Sequence, residues 1–204
     1  MQITTGLRGL LSSPAVYDLS QSIMGAGSMR RTVVQTVLAQ GNSKRILDVG
    51  CGTAEILRYL PSHTEYFGFD ISEVYIESAK RKYGARGRFY CELLSEARLF
   101  DLPKFDVVLA IGVLHHLDDE EARQVLHLAS LCLDSNGRFI SVDPCFAQNQ
   151  NPLAKFLISR DRGQNVRTES GYRSIPQEIF SSVRGDLRHR AWIPYTHWFM
   201  ECVK

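Results

Sequence analysis

The sequence is short of several things that would narrow its role at once. It carries no strong charge of either sign: 24 Lys and Arg stand against 22 Asp and Glu, a formal net charge of +2. The basic stripe that marks a nucleic-acid-binding surface is missing, so no nucleic-acid partner is expected. The five cysteines (Cys51, Cys91, Cys132, Cys145 and Cys202) form no CxxC pair and no Cys/His cluster with metal-ligand spacing. They read as free thiols of a reducing compartment, and no metal is expected. The longest apolar run, Val107 to Leu114, falls far short of the ~20 residues that cross a bilayer. The first residues, "MQITTGLRGLLSSPAVYD", lack the pattern of a signal peptide. No internal repeat or low-complexity tract is present, and nothing in the sequence sets an oligomeric state. A cytoplasmic protein is the resulting expectation.

What is there is ordinary for a globular chain: 204 residues, 44% apolar and 23% charged. That length suits one domain with a sizeable core. "MRRTVVQTVLAQGN" reads as a helix closed by Gly41. Arg45 to Val49 reads as a strand, Ala54 to Leu60 as a short helix stopped by Pro61, and Tyr66 to Asp70 as a second strand. Ser72 caps a helix over Glu73 to Lys82 that Gly84 ends, and "GRFYCEL" supplies a third strand. Phe105 to Val113 is apolar on both faces, as in a central parallel strand. Asp118 caps the clearest helix, with Asn136-Gly137 as its closing turn, and "RFISVD" follows as a strand. "PQEIFSSV" reads as a helix before "LRHRAWI" and "THWFMECV", an antiparallel pair joined by a tight Pro-Tyr turn.

This alternation predicts an α/β fold: a Rossmann-like open seven-stranded sheet, mostly parallel, with an antiparallel C-terminal hairpin and helices on both faces. The single domain divides into an N-terminal helical lid segment (1–42), a cofactor-binding core (43–143), a substrate-cover insertion (144–182) and the terminal hairpin (183–204).

The chemistry is concentrated in "LDVGCGTA", Leu47 to Ala54. Parallel sheets bind ligands beyond the carboxyl ends of their strands. Gly50 and Gly52 let a ligand approach the backbone there. The turn DxGxGxA is one residue tighter than the dinucleotide pattern GxGxxG. Asp48 would repel a pyrophosphate but suit an ammonium group. Asp70, at the end of the second strand, is placed to accept hydrogen bonds from ribose hydroxyls. An ammonium and a ribose on one ligand indicate S-adenosylmethionine.

At this point the sequence resembles the class I S-adenosylmethionine-dependent methyltransferases. The resemblance rests on "LDVGCGTA", "GFDIS" (68–72), "FDVVLAIGVLHHLDD" (105–119) and "LCLDSNGRFISVDP" (131–144), in order and in register over roughly residues 40–145. It implies that Asp48, Gly50, Cys51 and Gly52 surround the methionine part of the cofactor. Asp70 would bind the ribose, with Ile71 against the adenine. Glu92 stands where the family often has an Asp for the adenine amino group, and Ile111 and Gly112 pass beside the cofactor. Ala54 replaces a usual glycine. It is expected to fit without loss, alanine being small and a good helix former. Cys51, at a helix N-terminus, is either an acidified thiolate or the small residue filling the turn. Tyr17 and Met24 are expected to fold over the cofactor.

For the acceptor, a small molecule methylated at oxygen is expected, on an anionic, sugar or natural-product scaffold. A hydroxyl acceptor calls for a base. His115, His116 and Asp143 are the candidates, at the ends of the fourth and fifth strands. His197 and His127 read as structural. From Arg160 to Arg190 seven arginines stand against four acids. Arg160, Arg162 and Arg167, with Tyr172, are expected to hold an anionic acceptor. Arg173 belongs to the same cluster. Two other readings stay open: a nicotinamide-dependent oxidoreductase, disfavoured by the tight turn, and a binding protein of the same fold without turnover.

Overall fold

The computed structural model describes residues 26–38, 45–161, 163–190 and 195–204. Strands and helices alternate as the apolar pattern requires. Helix α1 (Ala26–Leu38) leads into β1 (Arg45–Val49), a 3-10 turn (Glu55–Arg58), β2 (Glu65–Phe69), α2 (Glu73–Tyr83) and β3 (Gly87–Tyr90). A one-turn helix α3 (Glu96–Leu99) precedes β4 (Phe105–Ile111), a 3-10 turn (Leu114–His116), α4 (Asp119–Cys132) and β5 (Leu133–Phe146). The cover segment holds α5 (Pro152–Ser159), the two-residue β6 (Arg167–Thr168), α6 (Glu169–Ser174) and a 3-10 turn (Pro176–Glu178). Strands β7 (Ser182–Arg190) and β8 (Tyr195–Val203) finish the chain.

The sheet order is β3-β2-β1-β4-β5-β8-β7, with β6 paired to β5 beside this path, so the sheet has eight strands where seven were expected. β1 to β5 are parallel, and β8 runs antiparallel to both β5 and β7. Alternate strand residues feed two cores. Leu47, Val49, Phe67, Val108 and Phe139 pack with Ala122, Leu126 and Ala129 of α4. Ile46, Tyr66, Val107, Leu109 and Ile140 pack with Val33, Val34 and Val37 of α1 and with Ile76 and Ala79 of α2. The period-two pattern of a strand thus covers both faces of the sheet with helices.

Local chemistry sets the element ends. Asp118 and Glu121 form a reciprocal capping box at the start of α4, satisfying two orphan N–H groups. Ser72 accepts from the Tyr75 amide at the start of α2. At the C-terminus of α1 the buried Arg138 donates to the Thr36 and Val37 carbonyls and pairs with Glu201 at 2.8 Å. One guanidinium therefore ties α1 to β5 and β8.

Two expectations need correction. Asn136-Gly137 does not close α4, which ends at Cys132; the pair lies inside β5, at a register shift against β4. "PQEIFSSV" is one 3-10 turn, and Ser182 already belongs to β7. Gly41 and the Pro-Tyr turn fall on or beside residues outside the described set. Among the described residues, no helix is long and apolar enough to cross a membrane.

Candidate active site

Strand order reverses between β1 and β4, and Gly50, Gly52, Asp70, Gly112, His115 and His116 follow the carboxyl ends of the central strands. The turn after β1 is folded over the end of β2: the Gly50 and Cys51 amides both donate to the Phe69 carbonyl, at 2.8 and 3.0 Å. Gly50 has φ 70° and Gly52 φ 55°, a left-handed backbone suited to glycine. A Cβ on Gly50 would lie 2.6 Å from Cγ2 of Val113, so the first glycine lets the end of β4 close against the turn. Gly112, with φ 70°, holds β4 to β5 through its amide on the Val142 carbonyl.

Ala54 also sits in the left-handed region, at φ 56° and ψ 30°, as the cap of the 3-10 turn. Helix propensity is therefore the wrong reason for tolerating it. Its methyl group is buried in the core with Ile56 and Leu57.

Asp70 is held from both sides. Oδ2 accepts from the Gly52 amide at 2.9 Å and Oδ1 from the Ser72 amide at 2.8 Å. Burial raises its pKa, and the N–H bonds from Ser72 and Gly52 oppose the rise. Each oxygen keeps a lone pair for a further donor. Ile71 beside it is 71% exposed and offers an apolar face. Glu92 is exposed and ion-paired with Arg98 at 3.0 Å, and the Arg98 guanidinium lies 4.7 Å from the Tyr90 ring centroid.

Asp48 was expected beside the methionine part of the cofactor. It is buried beneath the turn, and its Oδ2 accepts from the Tyr66 hydroxyl at 2.6 Å. Burial pushes its pKa up to about 7, against the hydrogen bond from Tyr66. A direct ion pair with a ligand ammonium does not follow from this position; Asp48 acts on the turn from below. Of the two readings of Cys51, the surroundings favour the small residue that fills the turn. Burial, then the charges of Asp48 and Asp70, push its thiol well above the ordinary range. It fills the turn against Gly68, where a Cβ would come within 2.8 Å of its Sγ, and is no acidified nucleophile.

The histidine pair stands at the end of β4. His115 is buried between two carboxylates: Nδ1 is 2.8 Å from Asp143 Oδ1, and Nε2 is 3.2 Å from Asp161 Oδ1. Burial alone would lower its pKa, but the bonds and charges of Asp143 and Asp161 overcome this and raise it to about 9. At neutral pH the ring is thus an imidazolium donating from both nitrogens, which is not the state of a general base. In this geometry His115 is a cation that ties β5 to the cover segment. Asp143 is fully buried, and its Oδ2 has no hydrogen-bond partner among the described residues. His116 is half-buried, its ring centroid 4.0 Å from that of His115.

Asp161 was not singled out in the sequence, because its partners lie far away along the chain. It accepts from the Gly163 amide at 2.9 Å and from the Tyr195 hydroxyl on β8. Burial raises its pKa, but the hydrogen bond and charge of His115 outweigh that and hold it below the usual carboxylate range. The following loop is pressed onto His115: the Asn165 amide donates to the His115 carbonyl, and a Cβ on Gly163 would clash with the ring at 2.0 Å. Beside this network lies a cavity of about 390 Å³, lined by Phe146, Ile158, Ser159, Asp161, Gly163, Gln164 and Val166. A second cavity, of about 320 Å³, lies at the opposite end of the sheet between Thr64 and Arg88, remote from these groups.

The arginines of the cover are mostly committed. Arg167 donates to the Leu114, Leu117 and Asn165 carbonyls and to Asp119, clamping the 3-10 turn that carries the histidines. Tyr172 is buried, and its hydroxyl donates to the Pro144 carbonyl. Both are structural here, in place of the expected acceptor contacts. Arg160 is exposed and lies over the Phe156 ring. Tyr17, Met24 and Arg162 fall outside the described residues.

Known proteins agree with this geometry. A family profile described as a methyltransferase domain matches residues 47–139. A phosphatidylethanolamine N-methyltransferase of Cereibacter sphaeroides is 30% identical over 156 residues, covering 74% of each chain. The chain belongs to the class I S-adenosylmethionine-dependent methyltransferases. An O-methyltransferase of Aspergillus sclerotiorum is 28% identical over 187 residues, 83% of this chain and 69% of that one. The magnesium protoporphyrin IX methyltransferase of Synechocystis PCC 6803, solved with bound SAH, shares the fold: TM-score 0.70 and 23% identity, over 89% of this chain and 84% of that one. Across its matched relatives this methyltransferase chain spans between 36% and 74% of their length.

Its cofactor is S-adenosylmethionine, and the residues fit it. The positive-φ glycines leave the turn open, and Asp70 has two oriented oxygens with capacity for two hydroxyl donors. Bound there, the cofactor supplies an electrophilic methyl group on a sulfonium sulfur.

Proposed function

We propose that this methyltransferase acts on an oxygen of a small molecule seated in the cavity beneath α5, with His116 receiving the hydroxyl proton. The observation that carries this reading is the state of the histidine pair. His115 is held at both ring nitrogens by Asp143 and Asp161, and the ring of His116 stands beside it at the end of β4, 4.0 Å away between centroids. Two relatives that are named O-methyltransferases, each 28% identical, support the choice of oxygen.

The walls of the cavity describe the acceptor. Phe146, Ile158 and Val166 are apolar, while Ser159, Asp161 and Gln164 offer polar contacts. A carboxylate in that wall repels an anionic acceptor and favours a neutral, hydroxyl-bearing one. The anionic acceptor expected from the arginine count is thus disfavoured, the more so because Arg167 is engaged elsewhere.

Asp161 also favours a second reading, methylation of an amine, which the N-methyltransferase relative supports. A screen of phenols, enols and primary amines with wild-type enzyme and His116→Ala separates the two. For an oxygen acceptor, His116→Ala lowers kcat by about 10²–10⁴-fold, the usual size of general-base catalysis. It leaves S-adenosylmethionine affinity unchanged. Turnover of amines alone, insensitive to His116→Ala, would replace the oxygen reading by the amine one.

A further inference from the structure

Helix α5 (Pro152–Ser159) is built to face two ways. Ala154 and Ile158, four residues apart, are buried, and the helix packs inward on β5 and β8. On its outer side Leu153 is 54% exposed and Phe156 is 55% exposed, one helical turn apart. Leu157 extends the same stripe and Arg160 closes it, with the Arg160 guanidinium 5.4 Å from the Phe156 ring centroid. Lys155 is exposed on the flank. The neighbouring acid, Asp161, is turned inward, its carboxylate taken up by His115, Gly163 and Tyr195.

Large apolar side chains standing out of a helix that contains no acid, with cations beside them, make the pattern of a helix that lies in a membrane interface. The apolar groups enter the headgroup boundary, and the cations meet anionic lipid. The geometry points to α5 as a docking surface for an anionic lipid bilayer. Charge complementarity decides against an acidic protein surface, because the stripe between the cations is apolar and offers such a partner no hydrogen-bonding groups. Ile158 and Ser159, at the end of the same helix, line the cavity of about 390 Å³. Docking therefore brings that cavity close to the lipid boundary, where lipophilic small molecules collect. The surface does not depend on which atom the enzyme methylates.

The test is co-sedimentation of the full chain with vesicles of phosphatidylglycerol and of phosphatidylcholine, read with a parallel S-adenosylmethionine titration. The wild-type protein is expected to bind phosphatidylglycerol vesicles, to bind phosphatidylcholine at least tenfold more weakly, and to dissociate as salt rises. The double variant Leu153→Ser/Phe156→Ser should lose vesicle binding by at least tenfold while keeping its melting temperature and cofactor affinity. Lys155→Glu should weaken binding to phosphatidylglycerol alone. Absence of wild-type binding to phosphatidylglycerol overturns the inference, as does undiminished binding by the double variant. Concentration-dependent self-association of the wild-type chain that the double variant abolishes also overturns it, by assigning the stripe to a second copy.

Discussion

Within the turn after β1, single residues set how closely the backbone can approach a ligand. Gly50 allows Val113 to pack where a Cβ would stand, and Gly68 makes room for the Cys51 thiol. Ala54 is the exception, an L-residue held at φ 56°. The left-handed conformation costs alanine about 1–2 kcal/mol. Its buried methyl returns about 0.8 kcal/mol, and a glycine would add roughly 0.5–1 kcal/mol of chain entropy to be lost on folding. The contributions nearly cancel. Ala54→Gly is therefore expected to shift the melting temperature by less than about 3 °C and S-adenosylmethionine affinity by less than about twofold. Calorimetry of the variant checks both, and a large gain in affinity would mean that the methyl group does restrict the crevice. Alanine and glycine differ too little in sequence for the backbone angle at position 54 to be read there.

Secondary-structure elements here are joined by a few ionic contacts between distant parts of the chain. Arg138 ties α1 to β5 and β8, Arg167 clamps the turn after β4, and His115 links β5 to the cover segment through Asp143 and Asp161. The last link depends on pH. The His115 pKa is raised from 6.5 to about 9, so its contribution is complete below pH 6.5 and is lost as pH rises through about 9. Asp161 is lowered, so its contribution is present above its ordinary value and disappears only in strong acid. Asp161→Asn is expected to cost about 2 kcal/mol near pH 6, a fall of roughly 4–8 °C in melting temperature. The gap between variant and wild type should narrow by pH 10. A constant gap from pH 6 to 10 would show that the proton on His115 is not what joins these elements.

Helices and strands with a regular apolar period, such as α4 and β4, were legible in the sequence. The contents of the cover segment were not. Its helices are short, and their inner faces are set by residues such as Ile158 and Tyr172 whose partners lie on other elements. The site was legible where it is local: Gly50, Gly52, Asp70 and Gly112 stand together in space as their motifs suggested. It was not legible where it depends on long-range burial. The Tyr195–Asp161 contact spans 34 residues, and nothing near Asp48 in sequence announces that Tyr66 will cover it.

At the scale of the whole molecule, sheet order puts the glycine turn, Asp70 and the histidine pair at one end of the strands. The family match gives a methyltransferase, and the proposed site lies at that end. The contact assigned there to the cofactor is the pair of ribose hydroxyls on Asp70, whose two oxygens are already oriented by Gly52 and Ser72. Titration calorimetry of S-adenosylmethionine into wild-type protein and into Asp70→Ala is the most direct test. One cofactor should bind per chain, and the variant should bind at least about tenfold more weakly, the loss of hydrogen bonds to a charged acceptor. No binding to the wild-type protein, or equal binding to a folded Asp70→Ala, would contradict the account.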